Sequence, residues 1–88
     1  MNDYRGGRRV TRQDIMDMIA MRIGVPTAQL KFQYIDVMPL KREVQHACLK
    51  SGVNIYPLNA MNVGRVPVYF VYCNICGKVK YFYERDGM

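Results

Sequence analysis

The sequence predicts an α+β domain in which N-terminal helices pack on a small antiparallel sheet that ends in a metal-binding hairpin. Three observations lead to it. Residues 11–23 read as a capped amphipathic helix, the last third of the chain is dense in Val, Tyr and Phe, and a Cys-x-x-Cys-Gly turn separates two of those apolar runs. The 88 residues make one small domain, half apolar and 23% charged, a composition that suits a globular chain and not a disordered one. A chain this short buries only about 60–65% of its unfolded surface, so its thin core gains from a metal, a disulfide or a partner subunit.

Residues 1–10 read as a flexible basic arm and residues 11–88 as the folded domain. Four of the eight arginines, Arg5, Arg8, Arg9 and Arg12, stand in the first twelve residues beside Gly6 and Gly7. Guanidinium forks pair with phosphate oxygens and a glycine hinge lets them reach. A solvated tail that only aids solubility has the same composition.

Thr11 opens the first helix as its N-cap, with Asp14 three residues on in a variant of the capping box. Ile15, Met18, Ile19 and Ile23 then share one face, Gly24 is the left-handed stop, and Val25-Pro26 ends the element. Residues 27–38 fit two descriptions. They make a second helix with Leu30, Tyr34, Val37 and Met38 on one face, or a strand over 31–38 with Phe32 and Tyr34 opposite Ile35 and Val37. Pro39 closes the segment. Residues 40–51 read as a helix with Leu40, Val44, Ala47 and Cys48 inward and Gly52 as its stop. Residues 53–56 read as a short strand ended by Pro57, and residues 59–64 as a polar, glycine-containing loop. Residues 66–72 and 79–83 read as two strands of an antiparallel hairpin, with residues 74–78 between them.

The strongest chemical signal is Cys73-Asn74-Ile75-Cys76-Gly77-Lys78 at the tip of that hairpin. Two thiolates three positions apart on a tight turn suit one tetrahedral Zn²⁺, with Zn–S bonds of about 2.3 Å. Gly77 permits the positive φ that turns backbone N–H groups toward sulfur, and Lys78 offsets thiolate charge. A redox pair of thioredoxin type opens a helix after a strand, whereas this turn leads back into a strand-like run. Three cysteines, an odd number, disfavour a secreted disulfide framework.

The segment resembles zinc knuckles, the half-sites of zinc ribbons. Cys73-x-x-Cys76-Gly77-Lys78-Val79 followed by Phe82 is also similar to a segment of the ferric uptake regulator family, which joins a winged-helix DNA-binding domain to a zinc-stapled dimerisation domain. That resemblance covers about ten residues and implies Cys73 and Cys76 as structural zinc ligands. Where those regulators carry a histidine-rich stretch this chain has Val66-Pro67-Val68-Tyr69-Phe70-Val71-Tyr72, so their regulatory metal site does not carry over.

A closed site needs four ligands, and the remaining soft candidates are Cys48 and the single histidine, His46. On a regular helix two positions lie about 200° apart, so the expected helix sends His46 to solvent when Cys48 points inward. Completion then requires a non-helical stretch at 46–48, a carboxylate or water, or the knuckle of a second copy in a homodimer. Without a metal, Cys48 reads as a small buried apolar residue and His46 as a surface residue.

Thirteen Lys and Arg against seven Asp and Glu leave a net charge of +6, in the manner of small nucleic-acid-binding domains. Six of the ten aromatics (Tyr69, Phe70, Tyr72, Tyr81, Phe82, Tyr83) crowd the last hairpin, beside Lys78, Lys80 and Arg85. They fit a platform for unpaired bases, a partner interface, or a two-sided core with hydroxyls at the rim. Residues 19–30 also look like the first helix and turn of a helix-turn-helix, which would aim Thr27, Gln29, Lys31 and Gln33 at DNA. Three helices, a strand and a hairpin are moreover the order of a winged helix.

No catalytic signature accompanies these features, since a lone His without a nucleophile, a phosphate loop or a carboxylate pair assigns no general base. The expected function is a non-enzymatic, zinc-stabilised regulator that binds DNA or RNA, of viral or mobile-element type. Its phosphate contacts would be Arg5, Arg8, Arg9, Arg12, Lys31, Lys78, Lys80 and Arg85. The alternative is an inhibitor or adaptor that docks a larger protein machine through the aromatic hairpin. With no apolar run of about 18–20 residues and a polar start, the expected location is cytoplasmic, away from membranes, including the host cell of a virus.

Overall fold

Thr11 and Asp14 cap each other at the start of α1 (Arg12–Ile23). The Thr11 N–H donates to Asp14 Oδ2 at 2.8 Å, and the Asp14 N–H donates to Thr11 Oγ1 at 3.1 Å. At the other end Gly24 takes φ +87° and donates its N–H to the Ala20 carbonyl at 2.8 Å. The apolar stripe buries Ile15, Ile19 and Ala20, with Met18 and Ile23 at its border. The computed structural model describes residues 9–35 and 43–84.

No second α-helix follows among the described residues. A single 3-10 turn (Thr27–Gln29) leads into β1 (Lys31–Tyr34), so the strand description of this segment holds over those four residues. Its inward residues, Phe32 and Tyr34, pack on the core while Lys31 and Gln33 face out. This removes the helix-turn-helix and, with it, the winged-helix order. Thr27 spends its hydroxyl on Asp17 Oδ1 at 2.9 Å.

The helix expected over 40–51 is also overturned. Its described part is β2 (Glu43–Cys48), paired antiparallel with β3 (Gly52–Pro57) in a separate two-stranded ribbon. Val44 and Cys48 lie four apart, a spacing that satisfies a helical face and a strand face alike. Strand pairing decides, with Val44, His46 and Cys48 inward and Gln45 and Ala47 exposed.

The expected loop at 59–64 is largely β4 (Asn59–Val63), which forms a tight hairpin with β5 (Val66–Tyr72). Its alternation is of the half-buried kind, with Met61 and Val63 inward and Ala60 and Asn62 outward. The hairpin of β5 with β6 (Lys78–Tyr83) forms as expected. β6 pairs on its other side with β1 in parallel, so the four-stranded sheet, in the order β1-β6-β5-β4, is mixed instead of wholly antiparallel.

The helix covers one face of this sheet. Ile15 and Ile19 pack with Val63, Val68, Phe70, Val79, Tyr81 and Tyr83 in a continuous core. Val10, placed by sequence in the arm, is buried in the same cluster, while residues 1–8 lie outside the described part. The hairpin aromatics are a two-sided core and not an open platform: Phe70, Tyr81, Phe82 and Tyr83 are buried, and Tyr69 and Tyr72 are half-buried. No helix among the described residues is long and apolar enough to cross a membrane.

Candidate metal centre

Because β2 is a strand, residues two apart share a side, and His46 and Cys48 project together toward the four-stranded sheet. The helical geometry that separated them by half a turn does not apply. Cys73 follows β5 directly, and Cys76 lies in the turn before β6. The four ligand atoms all lie within 4.8 Å of one another, and this cluster could hold a metal ion. His46 and Cys76 approach to 3.3 Å, Nε2 to Sγ. A tetrahedron with bonds to S of about 2.3 Å and to N of about 2.0–2.1 Å has edges of about 3.5–3.8 Å, so shifts on the order of 1 Å close the cluster on an ion. His46 and Cys73 are only 5% and 2% exposed, Cys48 is buried, Cys76 is half-buried, and all three cysteines are free thiols.

Two turns of one design present these ligands. In the β5–β6 turn the Cys73 N–H donates to the Lys78 carbonyl at 2.9 Å, and the Gly77 N–H donates to the Cys73 carbonyl at 2.8 Å. Gly77 sits at φ +79°, and a Cβ there would lie 3.3 Å from the Gln29 carbonyl oxygen. The backbone angle thus favours glycine, and a Cβ would press on the 3-10 turn that buttresses the site. In the β2–β3 turn the Ser51 N–H donates to the Cys48 carbonyl at 3.3 Å, and the run Cys48-Leu49-Lys50-Ser51-Gly52 has the same Cys-x-x-(Ser/Cys)-Gly layout as Cys73 to Gly77.

These turns prepare the sulfurs as ligands. The Ser51 side chain lowers the pKa of the Cys48 thiol, helped by the backbone N–H groups of Lys50 and Ser51 against the opposing effect of burial. Burial pushes Cys73 up, but hydrogen bonds from the Tyr56 hydroxyl and the backbone N–H groups of Cys76 and Ile75 outweigh it and hold the thiol at about 6. The Tyr56 hydroxyl lies 3.2 Å from Cys73 Sγ, and that contact, with burial, pushes the phenol up to about 12. For Cys76 the Lys78 backbone N–H favours the thiolate, yet burial and the neighbouring Cys73 and Cys48 sulfurs prevail and raise it. His46 is lowered by burial and then by Lys80 and Lys78, which keeps its imidazole neutral, the form that binds metal. Three thiolates crowded together repel one another, and a bound cation would relieve that repulsion.

Of the residues expected to contact phosphate, Lys31 and Lys78 are register partners on β1 and β6, with Lys80 two residues further. Lys78 Nζ donates to Gln33 Oε1 at 3.1 Å and Lys80 Nζ to the Gln45 carbonyl at 3.4 Å, so both lie beside the metal cluster. Arg12 is not with them. Its Nε donates to the Tyr83 hydroxyl at 3.1 Å and its guanidinium lies 5.4 Å from the Tyr34 ring centre, packing the opposite end of β6. Arg9 is exposed, and Arg5, Arg8 and Arg85 lie outside the described residues. Sequence reasoning missed Tyr56 and Ser51, although the repeated Cys-x-x-(Ser/Cys)-Gly pattern marks the second turn.

Models of known protein families, curated proteins and solved structures were compared with the chain, and none matches.

Proposed function

We propose that the chain is a non-enzymatic, basic binding domain, stapled by one structural Zn²⁺ on His46, Cys48, Cys73 and Cys76, that acts as a small nucleic-acid-binding regulator. The observation that carries it is the convergence of those four ligand atoms, within 4.8 Å of one another, from two separate hairpins. Three thiolates and an imidazole are the soft donor set of structural zinc, and four protein ligands leave no open position for a substrate. The set is complete within one chain, so no second copy is needed to supply ligands. The ion would fasten the β2–β3 ribbon to the main sheet and supply stability that the thin core lacks. Free thiols suit a reducing, intracellular compartment.

The nucleic-acid part rests on the net charge of +6 and on Lys31, Lys78 and Lys80 gathered on the outward side of the adjacent strands β1 and β6. Elemental analysis of the purified chain is expected to give about one zinc per chain, lost in Cys73→Ser. Binding to DNA or RNA is expected to weaken steeply between about 50 and 200 mM salt. A metal-free chain whose melting temperature is unchanged by Cys73→Ser rejects the staple, and no binding at low salt rejects the nucleic-acid role.

One observation favours a second reading, a protein-docking module. The outer face of the ribbon leaves Val53 and Ile55 60% and 64% exposed, with Leu49 bare at the turn. Binding that survives high salt and nuclease treatment supports this reading instead.

A further inference from the structure

A cleft of about 260 Å³ opens where the end of α1 meets the end of β3, the start of β4 and the end of β5. Pockets for drug-sized ligands run to about 300–1,000 Å³, so this one suits a single planar ring system. Three kinds of chemistry meet there. Arg22, exposed on the last turn of α1, makes no ion pair or side-chain hydrogen bond among the described residues and is available to an anion. Tyr56 and Tyr72 contribute half-buried aromatic walls. The Tyr56 ring is held in place by its hydroxyl contact to Cys73 Sγ, so it is a rigid plate that loses little freedom when a ring stacks on it. Asn59 donates one amide N–H to the Phe70 carbonyl at 3.4 Å, which leaves its second N–H and its oxygen for the edge of a ligand.

We propose that this cleft binds one unpaired nucleobase of a single strand together with its phosphate. Arg22 pairs with the phosphate, the tyrosines hold the base, and the Asn59 amide meets its edge. The inference deepens the nucleic-acid reading and rests on it. It also supplies what that reading lacked with four of the six hairpin aromatics buried: a place where a half-buried aromatic wall and an exposed cation lie side by side. Duplex DNA keeps its bases stacked inside and offers the cleft nothing but phosphate.

The test uses the full zinc-loaded chain and a short labelled oligothymidylate, compared with a duplex of equal length by fluorescence anisotropy. The wild type is expected to prefer the single strand. Arg22→Gln should weaken single-strand binding about tenfold and reduce the salt slope by about 1. Arg65→Gln, which removes the same charge from the exposed β4–β5 turn, should change it less than about twofold. Tyr72→Leu should also cost about tenfold, within the range for stacking one base. The chain has no Trp, so stacking should register as quenching of its tyrosine fluorescence by thymidine monophosphate.

Equal binding of single strand and duplex, with Arg22→Gln indistinguishable from Arg65→Gln, overturns the cleft and leaves the nucleic-acid reading standing. Failure of both probes to bind at low salt overturns both. Displacement of the oligonucleotide by inorganic phosphate as readily as by thymidine monophosphate reduces the cleft to an anion site and overturns the proposal. A phosphotyrosine peptide that competes better than the mononucleotide overturns it in favour of a protein partner.

Discussion

His46 Nε2 lies 3.3 Å from Cys76 Sγ although 30 residues separate them in the chain. One residue stands on the two-stranded ribbon and the other on the turn before β6, so this contact ties two sheets that share no strand. The ribbon is also linked to the main sheet by Tyr56 to Cys73 and by Lys80 to the Gln45 carbonyl, and β3 lies against β5. An ion held by the four ligands would add the strongest of these ties.

Chelation of the metal is expected to release the ribbon before the sheet. Hydrogen exchange after treatment with a strong chelator should show early loss of protection at β2 and β3, while α1, β5 and β6 stay protected. Loss of even ~3 kcal/mol should lower Tm by roughly 12–24 °C in a domain of this size. Uniform loss of protection across both sheets would show that the ion holds the whole fold.

Tyr56→Phe removes the hydroxyl that supports Cys73 and leaves the ring. Outer-shell hydrogen bonds of this kind are worth about 10–100-fold in metal affinity. The variant is expected to bind zinc more weakly within that range, and the sulfur-to-metal charge-transfer bands of the cobalt-substituted protein should shift. An unchanged spectrum and affinity would assign the hydroxyl no part in the site.

Protons compete with the fold in the metal-free chain. Cys73 sits at about 6, below its ordinary value of 9.0, because the hydrogen bonds it accepts outweigh burial. Its contribution is therefore present above about pH 9 and is lost as the pH falls through 6. Burial lowers His46 in the folded state, so acid again favours the unfolded chain. Urea denaturation of the metal-free protein should give a lower midpoint at pH 6 than at pH 8. A higher midpoint at pH 6 would mean that the cluster is protonated in the folded state.

Gly77→Ala places a side chain at φ +79° and brings its Cβ to 3.3 Å from the Gln29 carbonyl. The left-handed angle alone costs about 1–2 kcal/mol. Thermal unfolding should show Tm lowered by roughly 4–16 °C, together with weaker zinc binding. Gly24→Ala meets a similar angle but no neighbouring atom, so it should lower stability and leave zinc affinity as it is.

Local signals were legible where one residue type has one use. Thr11 with Asp14, and Gly24 before Val25-Pro26, mark the helix ends because capping is decided within four residues. The Val/Tyr/Phe runs marked β5 and β6 for a similar reason. The ligand types were legible too, since the chain holds only three cysteines and one histidine. Their geometry was not, because Val44 and Cys48, four apart, fit a helical face as well as a strand face, and only pairing with β3 decides between them. β4 was hidden by asparagines on a half-exposed strand, and Tyr56 by a role that exists only when β3 lies against Cys73.

β6 is the central strand between β1 and β5, and 47 residues separate Lys31 from its register partner Lys78. On the ribosome, α1 and β1 are therefore made long before the strand that unites them with β5. A nascent chain arrested before residue 78 would expose Phe32 and Tyr34 without a sheet to cover them, and would be vulnerable to chaperone capture or proteolysis. Folding of this small protein is thus expected to follow translation of β6 and to be slow for its size, as non-local pairing dictates.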